Sequence, residues 1–208
     1  NVGLEKEEKA FTYALDLAEQ TVETLGSGMA AVIVLDVERQ YWQSKNRAAQ
    51  VQKNRQDSLG MGWANHDHHT FRSSRRYFSQ LVRLFEILGF HCRERFYAGE
   101  EAGWGAQVME HNEAKIVLFL DVDLSPQEVQ GDFAHSCLKD LDHLGTVGLW
   151  CALHGDSILN SGMHHLEAQF SFDLLKAHLE DHGVSIMKPF SHFDYLKQAF
   201  TSADHWPC

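Results

Sequence analysis

The chain has 208 residues, 44% of them hydrophobic, enough to bury a core as one large domain or two small modules. A net charge of -11 with histidines neutral leaves no concentrated basic surface, which argues against a nucleic-acid partner. No run approaches the roughly 18 apolar residues of a membrane span, and the start lacks a basic-then-apolar leader pattern, so a membrane is not an expected partner either.

Residues 4–25 carry Leu4, Phe11, Ala14, Leu15, Ala18, Val22 and Leu25 at helical spacing and stop at Gly26-Ser27-Gly28. Met29 to Val37 is apolar and β-branched enough for a strand, yet Glu38 to Lys53 continues in helix formers, so periodicity leaves both readings open. Residues 1–62 are expected to form an N-terminal helical extension.

From Trp63 the pattern sharpens. His66 to Ser73 reads as a strand, and Tyr77 to Leu88 places Phe78, Leu81, Val82, Phe85 and Leu88 on one helical face before Gly89. Three strands should follow, Phe90 to Tyr97, Trp104 to Glu110 and Lys115 to Val122, making 63–124 a βαβββ module. Ser125-Pro126-Gln127-Glu128 has the form of a capping box, which predicts a helix to about Leu141 with Val129, Phe133, Cys137 and Leu141 inward. Residues 125–161 are expected to be this connecting helix and a loop, with Leu149-Trp150-Cys151 as a short strand.

After Gly162 the order returns: a strand from His164 to Phe172 and a helix from Asp173 to His182, stopped by Gly183. The expected fold class is therefore α+β, with paired βαβββ modules of which the second, 162–208, is incomplete if the chain is truncated. Four cysteines, at 92, 137, 151 and 208, form no CxxC pair, fit a reducing, cytoplasmic compartment and read as core thiols. The pattern says nothing of oligomeric state.

The chain has 14 histidines where about five would be usual for its length. His91, His135, His143, His178, His182, His192 and His205 are each read as ordinary surface or hydrogen-bonded residues. The dense groups are Asn65-His66-Asp67-His68-His69-Thr70-Phe71-Arg72 and Met163-His164-His165-Leu166-Glu167-Ala168-Gln169. Side chains alternate along a strand, so His68, Thr70 and Arg72 share one face while His69 and Phe71 share the other, under the helix. By the same alternation His165, Glu167 and Gln169 face the cavity. Two histidines and a carboxylate suit Fe(II), Zn(II), Mn(II) or Ni(II) and leave coordination positions open, while Arg72 has the fork to hold a substrate carboxylate. His66-Asp67 also matches the dyad of HD-type phosphohydrolases, but that family is all-helical and Thr70-Phe71-Arg72 reads as strand. Likewise His66-x-His68 matches amidohydrolases, whose barrel needs about 250 residues.

The run Asp67-His68-His69-Thr70-Phe71-Arg72, with Leu88-Gly89-Phe90, Ala106-Gln107-Val108-Met109-Glu110-His111, Leu124-Ser125-Pro126-Gln127-Glu128-Val129-Gln130 and Tyr195-Leu196-Lys197-Gln198, resembles short bacterial relatives of 2-oxoadipate dioxygenase/decarboxylase, also called hydroxyglutarate synthase. The resemblance covers roughly residues 40 to 206. It implies a vicinal-oxygen-chelate fold and Fe(II) held by His68, by His165 or its neighbour His164, and by a glutamate of a late strand in the second half. It also implies that Arg72 grips the carboxylate of a 2-oxo acid. The residues after Phe190 depart from the pattern, reading as a helix and tail rather than the strands that should carry this glutamate. Either the chain is truncated and catalytically incomplete, or Glu110 or Glu167 substitutes.

The expected function is thus an Fe(II)-dependent dioxygenase/decarboxylase acting on a small 2-oxo acid. Two alternatives stand beside it: a glyoxalase-like metal-dependent lyase or isomerase, and a non-catalytic module that retains the fold and binds a small acid or a protein.

Overall fold

The computed structural model describes residues 2–45, 50, 54, 69–162, 177 and 181. Two N-terminal helices, α1 (Val2–Leu25) and α2 (Ser27–Lys45), precede the strand β1 (His69–Arg72), helix α3 (Phe78–Ile87) and strands β2 (His91–Tyr97), β3 (Trp104–His111) and β4 (Ile116–Asp123). A 3-10 turn (Glu128–Gln130) and helix α4 (Thr146–His154) follow. The protein is mixed α+β, and the βαβββ order expected over residues 63–124 is observed across the described part of that range. No described helix is long and apolar enough to cross a membrane.

The four strands form one sheet in the order β1-β4-β3-β2, with β1 parallel to β4 and the other pairings antiparallel. β4 is central, and its apolar run Ile116 to Leu120 suits a strand buried on both faces. One face, carrying Phe71, Met109, Leu118, Leu120 and Val122, packs with Phe78, Leu81, Val82 and Phe85 of α3. Phe71 and Phe85 meet with ring centroids 4.9 Å apart. The other face carries the smaller cluster Ala106, Val108, Val117 and Phe119, with Phe96 of β2 packed against it.

α3 ends as its sequence predicts. Gly89 has φ +91°, its N–H donates to the Glu86 carbonyl, and the Phe90 N–H donates to the Phe85 carbonyl, both at 2.9 Å. This is a Schellman closure, and the Phe85 and Phe90 rings supply its apolar contact at 5.6 Å. A side chain at position 89 would also collide with Ser27, its Cβ falling 2.6 Å from that residue's Cβ. Glycine is required there twice over.

The ambiguous run Met29 to Val37 is helical. Gly28, Ala30, Ala31 and Leu35 are its buried positions, at helical rather than alternating spacing, and the small side chains let α2 sit close against its neighbours. Phe11 and Ala18 of α1 and Ala30, Ala31 and Leu35 of α2 lie in the same core as the sheet and α3.

Two expectations are corrected after β4. The capping-box helix over 126–141 is replaced by the single 3-10 turn, because Glu128 serves Arg75 as well as Ser125. Its carboxylate accepts both the Ser125 N–H and Oγ–H at 2.9 Å and is also forked by the Arg75 guanidinium, at 2.5 and 2.9 Å. Arg75 further donates to the carbonyls of Asp123 and Lys139, folding the chain back on itself. Of the expected stripe, Phe133 is buried and Val129 packs partly buried against the core, but Cys137 and Leu141 are exposed, and Ala134 and Leu138 are buried in their place. Cys137 is therefore not a core thiol. Leu149-Trp150-Cys151 lies inside helix α4 rather than a strand. Three residues of strand propensity are too few to outweigh the N-terminal closure described next.

Candidate functional site

The face of the sheet turned away from α3 carries the charged side chains of the predicted site. Arg72 and Asp121 are register partners on β1 and β4, and Ala106 and Phe96 continue the same row across β3 and β2. The Arg72 Nε stands 3.5 Å from the Asp121 carboxylate, and its guanidinium carbon lies 5.4 Å from the Trp150 ring centroid. That ion-pair distance exceeds the roughly 2.7–2.9 Å of a charge-assisted hydrogen bond, so Asp121 orients the guanidinium without clasping it. The backbone of Arg72 is fixed more tightly: its N–H donates to Ser157 Oγ at 2.9 Å, and its carbonyl accepts the Ser157 N–H at 3.0 Å. The segment after α4 thus covers the edge of β1.

Trp150 is presented by α4, and α4 is anchored by Asp123. The Asp123 carboxylate accepts the N–H groups of Gly145, Val147 and Gly148 at 2.8 to 2.9 Å, filling the electropositive start of the helix with a charge from the chain itself. A Cβ at Gly145 or Gly148 would fall 2.6 Å from an Asp123 carboxylate atom, so both glycines permit the approach. Beyond α4, the half-buried Asp156 carboxylate accepts from Ser73 Oγ and from the Ser74 N–H. Burial holds its pKa above the usual carboxylate range, against the pull of those donors.

Glu110 shares the face of Arg72 by alternation and is buried, with Arg93 Nη1 at 3.4 Å from its Oε2. It sits four residues along β3 from the Arg72 row, about 13 Å at strand rise. Arg72, expected to hold the substrate, and Glu110, a candidate for the missing glutamate, therefore occupy one face but different rows. Both Phe71 and His69 are buried, with Phe71 in the core beneath α3 as alternation predicts. His68, His165 and Glu167, the expected metal ligands, lie outside the described residues, as does His164. Among the described residues Glu110, Asp121 and Asp123 do not converge as a group of metal ligands: Asp123 accepts three N–H groups of α4, Asp121 lies beside Arg72, and Glu110 lies beside Arg93.

Among the described residues one group of three metal-ligating side chains does converge, and it lies at the other side of the sheet's edge. Glu86 of α3, Cys92 of β2 and His135 offer ligand atoms all within 4.8 Å of one another. His135 Nε2 is 2.8 Å from Glu86 Oε1, and its Nδ1 is 2.7 Å from Asp132 Oδ2. The ring has a carboxylate at each nitrogen, and the hydrogen bond to Glu86, then that to Asp132, raise its pKa. The Cys92 thiol is pushed up to about 11 by burial and then by the nearby Glu86 and Asp132 charges. These residues carry no local spacing signal, since Glu86, Cys92 and His135 come from three separate segments. Only Asp132 and His135, three apart, hint at a pair.

Comparisons of the chain with models of known protein families, with curated proteins and with solved structures found no match.

Proposed function

We propose that this protein is a metal-dependent enzyme acting on a small 2-oxo acid, of the dioxygenase/decarboxylase kind, and that Arg72 receives the acid's carboxylate. The observation that supports the reading is the contrast between neighbouring arginines. Arg75 is spent in a fork with Glu128 and on two carbonyls. Arg72 has a long contact with Asp121 and a face over Trp150, an arrangement that fixes the guanidinium plane while leaving it able to form a bidentate pair with an incoming carboxylate. The Trp150 ring beside Arg72 is an aromatic wall that suits the carbon chain of such an acid.

In this proposal His68, which the sequence pattern groups with Arg72, and His165 would hold Fe(II) with a carboxylate from Glu110 or Glu167. The bound metal would supply the dioxygen chemistry, while Arg72 sets the acid's orientation and Glu110 serves as ligand or proton-handling group. The test is oxygen uptake and carbon dioxide release by the full chain with Fe(II) and a series of 2-oxo acids, repeated on Arg72→Gln and His68→Ala. Turnover lost in His68→Ala, and shifted to higher KM in Arg72→Gln, is the expected result. Equal turnover without dioxygen, with Zn(II) as effective as Fe(II), would replace the oxygenase reading with a lyase or isomerase on the same face.

A further inference from the structure

The structure assigns a second, independent metal site: Glu86, Cys92 and His135 form a binding site for a borderline-soft divalent cation of the Zn(II) type, with Asp132 as the outer carboxylate. Three ligand chemistries meet there, a carboxylate oxygen, a thiol sulfur and an imidazole nitrogen, the donor set that Zn(II) accepts. Tetrahedral zinc would hold these atoms about 3.3 to 3.6 Å apart, given bonds of roughly 2.0 to 2.3 Å. The present 2.8 Å between Glu86 Oε1 and His135 Nε2 needs only to open slightly, and the thiol sulfur already lies within 4.8 Å of both. Water would take the fourth position.

An independent feature is the orientation of the ring. His135 Nδ1 is held by Asp132 at 2.7 Å, which leaves Nε2 directed at Glu86 and Cys92. This is the carboxylate–histidine–metal arrangement in which an outer carboxylate fixes the ring and strengthens the ligand. Glu86 and Asp132 bring two carboxylates to the group, against Arg95, 3.8 Å from Asp132, and the proton on His135, which the metal ion would replace. The supporting backbone is ordered from two sides. Phe133 is buried and stacks on Phe78 at 6.0 Å, and Cys92 is on a paired strand opposite Met109. Binding of M(II) forms metal–sulfur, metal–nitrogen and metal–oxygen bonds and releases to solvent the Cys92 thiol proton and the His135 Nε2 proton.

The test is titration of the full chain with Co(II) as a spectroscopic substitute and with Zn(II) by competition. One equivalent of Co(II) should produce a thiolate-to-metal charge-transfer band in the wild type. The band should be absent in Cys92→Ser, and affinity should fall at least tenfold in His135→Ala, an exposed position whose change leaves the core intact. Asp132→Asn should weaken binding about 10-fold to 100-fold. His68→Ala should keep the band, because the metal of the proposed oxygenase has no sulfur ligand; the two sites are thereby read separately. Absence of a thiolate band in the folded wild type, or an unchanged band in Cys92→Ser, would overturn the assignment.

Discussion

Arg75 clasps Glu128 through both ends of its guanidinium, at 2.5 and 2.9 Å, and this pair decides the course of the chain after β4. The Arg75 hydrogen bonds, followed by those from Ser125, hold the Glu128 carboxyl down at about 2 against its burial. A depressed carboxyl pKa contributes stability that is present above the unfolded value near 4.5 and lost as pH falls through the folded value. Glu128→Gln should therefore flatten the loss of stability between about pH 4.5 and 2, removing on the order of 2 kcal/mol at neutral pH. Arg75→Met should cost more, roughly 3 kcal/mol, because it also strands the carbonyls of Asp123 and Lys139. Urea unfolding of the variants across that pH range checks both.

The opposite pH limb belongs to Tyr77. Its ring packs on Phe11 at 5.6 Å, and its hydroxyl donates to Glu7 at 3.0 Å, joining α1 to the start of α3. Burial first, then the Glu7 hydrogen bond, raise the phenol to about 12. The neutral phenol is the form the fold favours, so this contribution is complete below pH 10 and disappears between about pH 10 and 12. Tyr77→Phe should cost about 1 kcal/mol at neutral pH and remove that alkaline decline, as thermal unfolding against pH would show.

Replacing Asp123 by Ala should release the start of α4, since three N–H groups lose one acceptor. A loss of about 2 kcal/mol is expected, with earlier proteolysis within 144–155. Gly148→Ala should also destabilise, although alanine is the better helix former by about 1 kcal/mol, because its Cβ meets the Asp123 carboxylate. A Gly148→Ala protein as stable as the parent would show that Asp123 does not hold the helix in this way.

Arg72→Lys keeps the charge but loses the planar fork over Trp150. On the proposed function it should raise KM for a 2-oxo acid about 10-fold or more while altering kcat less, and stability should change by no more than about 1 kcal/mol. Equal KM values for the two proteins would remove Arg72 from substrate binding.

Much of this fold was legible because its signals are local. Phe78, Leu81, Val82 and Phe85 mark α3 by spacing, Gly89 ends it, and the β3–β4 hairpin is bracketed by apolar runs around Asn112 and Glu113. The segment from Ser125 to Gly145 departs from the helix its sequence predicts because a capping box is a local motif, whereas the Glu128 carboxylate is shared with Arg75, 53 positions earlier. Likewise Leu149-Trp150-Cys151 is helical because Asp123 caps the helix, a contact no window of α4 contains. Alternation placed Phe71 under α3 and Arg72 on the other face, but it could not show that Asp121 and Trp150 flank Arg72. The Glu86–Cys92–His135 group was invisible for the same reason: its members meet only when α3, β2 and the folded-back segment are assembled.

The most direct measurement of the central claim is 2-oxo acid-dependent oxygen uptake with Fe(II), made on the Cys92→Ser protein so that metal bound at the sheet edge through Cys92 cannot contribute, and then with His68→Ala added. The account predicts uptake coupled to carbon dioxide release in the first protein and its loss in the second. Uptake that is absent across the acids tested in folded, Fe(II)-loaded protein, or that persists unchanged after His68→Ala, would contradict it.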